Sequence, residues 1–205
     1  MSGSSADFDL MGQINNSWGV CGFTSCFYAM YEMNPAQRGL LLGAGIATKV
    51  LAEIKTYLVM LQADGKTALL RSIEDYTKTF GKIGKCDFST WTIDGYIALI
   101  NTAVGKSDAE IRGDCSHSIG MPPEAVVDYL KRIWGRDSEL QSVSGGTGGV
   151  ADAIIGVTRG TMPMYDGLSH WMYRKGGKIY SWGREFPSIE AANKAYRLCR
   201  VITIK

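Results

Sequence analysis

The hydrophobic period of this chain changes once, near residue 138, and that change limits the folds open to it. Before it, apolar residues recur at helical spacing; after it they fall in short runs bounded by glycine. Cys21 to Met33 places Phe23, Phe27, Met30 and Tyr31 near one face, and Asn34-Pro35 ends the pattern. Ile46 to Gln62 and Lys66 to Phe80 repeat it, with Asp64-Gly65 and Gly81 as stops. Thr92 to Val104 and Pro122 to Trp134 add two helices, the second opening on proline.

Beyond the change, the glycines at 145, 146, 148 and 149 mark a turn; they lack the Lys-Ser/Thr ending of a phosphate loop. Ala153 to Thr158 reads as a buried strand. Ser169 to Arg174 and Lys178 to Trp182, separated by Lys175-Gly176-Gly177, read as a hairpin. A short helix over Ser188 to Tyr196 and a closing strand over Arg200 to Ile204 follow. Helices first and antiparallel sheet second make an α+β fold. Residues 1–12 are expected to form a flexible tail. Residues 13–205 then form one domain, mainly helical over 13–137 and mainly sheet over 138–205.

The charges exclude several functions. A net charge of +2, from 22 basic and 20 acidic residues with no run of one sign, gives no reason to expect a nucleic-acid partner. The apolar stretch from Gly39 to Thr48 is far short of the roughly 20 residues that cross a bilayer. The acids Asp7 and Asp9 stand where an export signal would carry a basic start, so a soluble, cytoplasmic chain is expected. The acids Asp108, Glu110 and Asp114 read as solvated surface. Five cysteines, at 21, 26, 86, 115 and 199, are odd in number and contain no CxxC pair. Free thiols in a reducing compartment follow from that count. Cys86, Cys115 and His117 are irregularly spaced and have no fourth ligand, so neither a metal nor a cofactor is expected.

With two histidines in the chain, the search for a base is short. His170 begins a hairpin strand, where a sheet would hold its ring, whereas His117 falls in the polar loop Asp114 to Ser118. Cys21 follows the bend Ser17-Trp18-Gly19-Val20 at the start of the first helix. Unpaired amides and the dipole there stabilise a thiolate, and a nearby imidazolium lowers the thiol pKa further from its usual value of about 8.5. Cys26, inside the same helix, reads as a packed apolar group.

The segment from Gln13 through Cys21-Gly22 to Ala29 resembles the nucleophile segment of papain-like cysteine hydrolases. The stretch Gly167 to Trp182, with His170 ahead of the glycine turn, resembles their histidine hairpin, especially in bacterial effector peptidases and glutamine deamidases. The resemblance covers about 17 residues at one end and about 20 at the other. It implies a papain-like fold, with the nucleophile on a central helix packed against the sheet. Cys21 would attack an amide of a protein substrate while His170 takes the proton. The Cys21 amide and Gln13, with Asn15 or Asn16 as substitutes, would hold the oxyanion. The family's Asp or Asn opposite the histidine is missing, because this sequence reads Ser181-Trp182-Gly183-Arg184-Glu185 there. Ser181 takes the expected place, with Glu185 as the substitute, and Trp182 shields the pair. Peptidase and deamidase stay open at this point. So do delivery into a host or target cell without a signal peptide, a peptidoglycan amidase, and a noncatalytic binding module on the same scaffold.

Overall fold

The computed structural model describes residues 19–34, 45–144 and 152–205. Its first helix, α1 (Cys21–Met33), is hydrophobic on nearly every side and buries ten of its residues. Such a helix belongs at the centre of a molecule, not on its surface. Around it pack α2 (Ile46–Ala63), α3 (Thr67–Lys78), α4 (Ile93–Thr102), α5 (Asp108–Arg112) and α6 (Pro123–Trp134). Tyr57, Tyr129 and Phe23 meet edge to face in this core, with centroids 5.0 to 6.2 Å apart. Gly135 at φ 64° ends α6, as the sequence signal of a left-handed cap requires. Between α3 and α4 lies a small hairpin of β1 (Lys82–Ile83) and β2 (Cys86–Asp87).

A six-stranded antiparallel sheet follows. Its strands are β3 (Ser138–Ser142), β4 (Ala153–Thr158), β5 (Leu168–Lys175), β6 (Lys178–Ser181), β7 (Arg184–Phe186) and β8 (Arg197–Ile204), in the spatial order β3-β8-β4-β5-β6-β7. Alternation along β5 divides its side chains between two layers. Leu168, Trp171 and Tyr173 join the helical core, while Met172 joins Ile155, Val157, Ile179, Tyr196 and Val201 on the other face. The second face is closed by α7 (Ile189–Ala192). The α+β order is therefore as expected, with the helical layer on one face of an antiparallel sheet and the short α7 on the other. No helix among the described residues is long and apolar enough to cross a membrane.

Several expectations are corrected. Cys86 and Cys115 form a disulfide with Cα atoms 6.2 Å apart, leaving Cys21, Cys26 and Cys199 free. The bond forms because β2 returns the chain beside the short 3-10 helix at Cys115–His117, a proximity that 29 residues of separation conceal. Disulfides persist in oxidising surroundings, which removes the basis for expecting a reducing compartment. His117, expected in a polar loop, ends the short 3-10 helix and is fully buried, and Tyr96 Oη donates to its carbonyl at 2.6 Å. The acids read as plain surface include working caps. Glu110 and Ser107 form a capping box at α5, and Asp108 accepts from the Ala47 amide at 3.1 Å. The helix expected to reach Tyr196 stops at Ala192, because Asn193 is extended, and β8 begins at Arg197.

Candidate functional site

Cys21 is the first residue of α1, and its approach is fixed by the buried segment 117–121. The Gly19 amide donates to Ser118 Oγ at 2.8 Å and the Ile119 amide to the Gly19 carbonyl at 3.0 Å. Gly22 lies so close to Met121 that a Cβ there would fall 2.6 Å from the methionine Cβ. No larger residue fits without movement. Met121 in turn accepts from Trp171 Nε1 at 2.8 Å, tying the segment to β5. The Cys86–Cys115 bond anchors the start of the same segment.

The sulfur of Cys21 accepts from the Trp171 amide at 3.4 Å, the peptide unit that joins His170 to Trp171. That amide is available because β6 pairs with β5 only from Tyr173 to Lys175. The thiol therefore reaches His170's peptide from the helical side. His170 pairs with Val157 across β4 and β5, and its imidazole is held by Ser181, Trp182 and Tyr196. Among the described residues no hydrogen bond joins the two side chains.

His170 is 6% exposed and held by three groups. Its Nε2 lies 2.6 Å from Ser181 Oγ. Its ring stacks on Trp182 at 4.3 Å and 8°, and on Tyr196 at 5.9 Å and 15°. Trp182 pays for its position with backbone strain: it has φ 48°, and Gly183 φ 68°, between the paired Ser181 and Arg184. Positive φ at both central residues is type I′ geometry, which favours Asn or Gly at the first of them. Tryptophan there costs about 1–2 kcal/mol, offset by the stacked, half-buried indole. With hydrogen on Nε2 the ring donates to Ser181, and Nδ1 is left as an unprotonated base.

Burial keeps both groups neutral. It pushes the Cys21 thiol up to about 11, although the amides of Trp171, Gly22 and Cys21 itself all pull it down. Cys21 retains some exposed surface, but its sulfur sits among dense protein, and that density decides the sign. The expectation of a thiol lowered by the helix start is thus reversed in the resting protein. His170 is pushed down to about 3, first by burial and then by the positive charge of Arg159.

Of the expected site residues, Ser181 stands beside His170 and Cys21 against the peptide that follows it. Gln13, Asn15 and Asn16 lie outside the described residues. Glu185 is not near the imidazole: it faces Tyr180 across β6 and β7 and pairs with Lys178 at 2.6 Å in solvent. Sequence reasoning missed Tyr196 and Arg159. Arg159 follows the buried run of β4, a place where a lone cation reads as ordinary surface. Cys86, Asp114 and Cys115 also cluster within 4.8 Å, yet a metal would need free thiolates and these two sulfurs are joined to each other. No protein-family model, curated protein or solved structure matches this chain.

Proposed function

We propose that the protein is a papain-like thiol hydrolase that cleaves an amide in a protein substrate, by peptide hydrolysis or by deamidation of glutamine. The observation that carries this is the placing of the Cys21 sulfur on the peptide after His170, while Ser181 fixes the ring of that histidine. In the reaction Cys21 loses its proton to His170 Nδ1 and its sulfur bonds to the amide carbon. The imidazolium then gives that proton to the departing nitrogen as the C–N bond breaks, leaving a thioester. Water, deprotonated by His170, attacks the thioester and releases the acid and the free thiol. The amides at the start of α1, which already point at the sulfur, are suited to the oxyanion.

A second reading, a noncatalytic module on the same scaffold, is favoured by one feature: both candidate groups rest in their neutral forms. Mass spectrometry of a protein mixture incubated with wild type and with Cys21→Ala separates the readings. New peptide termini that depend on Cys21 mean a peptidase, and a Cys21-dependent gain of about one dalton at glutamine means a deamidase. Identical products from the two proteins leave the module as the correct reading.

A further inference from the structure

The charge beside the proposed base is of the wrong sign for the reaction. Arg159 is exposed at the end of β4, and its Nη2 donates to Tyr196 Oη at 3.1 Å. Its guanidinium carbon lies 4.8 Å from the centre of the Tyr196 ring. Tyr196 stacks on His170 and on Trp182, so the cation is fixed one ring away from the imidazole.

Other cations of the sheet are differently engaged: Arg197, beside Tyr196, donates to the carbonyls of Lys194 and Tyr196, and three more hold carboxylates. Arg200 pairs with Asp166 at 2.7 Å, Lys178 with Glu185, and Lys175 with Glu32. Arg159 has no carboxylate partner among the described residues, and one of its five N–H groups is used. The remaining donors form the planar fork that suits a carboxylate, on a side chain already ordered by stacking. An unpaired cation here opposes the imidazolium that attack by Cys21 requires. A bound anion would cancel that opposition at the moment the substrate arrives.

We infer that Arg159, held on the Tyr196 ring beside His170, is a carboxylate-binding subsite, and that the favoured substrate carries an acidic group close to the amide that Cys21 attacks. This rests on the reading of Cys21 as nucleophile and His170 as base. Binding and activation are then the same event. A neutral substrate leaves His170 facing the bare cation, whereas an acidic one screens it and frees the ring to take the thiol proton.

Two alkylating reagents of nearly equal size test this without knowledge of the substrate. Iodoacetate carries a carboxylate and iodoacetamide does not; each forms an S–C bond to Cys21 and expels iodide, the thiol proton passing to His170 or solvent. Rates at Cys21 are read by mass spectrometry, and their ratio is divided by the ratio for a small free thiol. Wild type is expected to favour iodoacetate. Arg159→Gln should lose about ten-fold of that preference, the size of one charge-assisted hydrogen bond, while Arg159→Lys keeps part of it. An unchanged ratio in Arg159→Gln overturns the subsite and leaves the nucleophile reading standing. Failure of both reagents at Cys21 in native wild type, with labelling after denaturation, overturns the nucleophile reading and the subsite with it.

Discussion

Ser181 Oγ stands 2.6 Å from His170 Nε2, where a papain-like enzyme would hold an aspartate or asparagine. A hydroxyl fixes the ring as a neutral partner and offers no charge to stabilise an imidazolium. Ser181→Ala should therefore lower turnover about three- to ten-fold, the worth of one neutral hydrogen bond. Ser181→Asp should maintain or raise turnover and shift the acid limb of the pH–rate profile upward. Turnover that is unaffected by Ser181→Ala would remove Ser181 from the site.

The neutrality of His170 has a pH signature. Its pKa falls from 6.5 to about 3 on folding, so between those values the unfolded chain binds the proton that the folded protein refuses. Stability at this residue is complete above about pH 6.5 and is lost as the pH falls toward 3. Thermal melts should show a steeper acid loss in wild type than in His170→Gln. Parallel curves would contradict the burial of a neutral imidazole.

Gly22→Ala tests how the nucleophile is placed. Its new methyl group would meet Met121 at 2.6 Å, and the segment 117–121 cannot give way without disturbing Gly19. A loss of about 1–3 kcal/mol is expected in denaturant melts. Partial recovery should follow with Met121→Ala, which removes the Sδ and Cγ contacts at 2.8 and 2.9 Å, and fuller recovery with Met121→Gly, which removes the Cβ contact as well.

The helical layer and the glycine hairpin were legible because each rests on local signals, and the contact between Ser181 and His170 was expected from the resemblance to a histidine hairpin. The spacing of Phe23, Phe27 and Met30, and the paired glycines at 176 and 177, need no distant residue to explain them. What escaped depends on tertiary approach. Cys86 meets Cys115 only after β2 folds back, and Arg159 acquires meaning only once Tyr196 has stacked on His170. One signal was present and overlooked: Ser107 followed three residues later by Glu110 is a capping box in the sequence itself.

The disulfide should stabilise the segment 117–121 that positions Cys21. Closing a loop over a separation of 29 residues is worth about 3–4 kcal/mol in chain entropy. The double change Cys86→Ser with Cys115→Ser should cost stability of that order. A double variant as stable as wild type would show that packing alone holds the segment.

The central claim is that Cys21 and His170 act as one unit, and the rate of Cys21 alkylation by iodoacetamide at fixed pH tests it most directly. With a base serving the thiol, His170→Gln should slow labelling of Cys21 about 100-fold or more, leaving Cys26 and Cys199 as slow as before. Equal rates at Cys21 in wild type and His170→Gln would contradict the account.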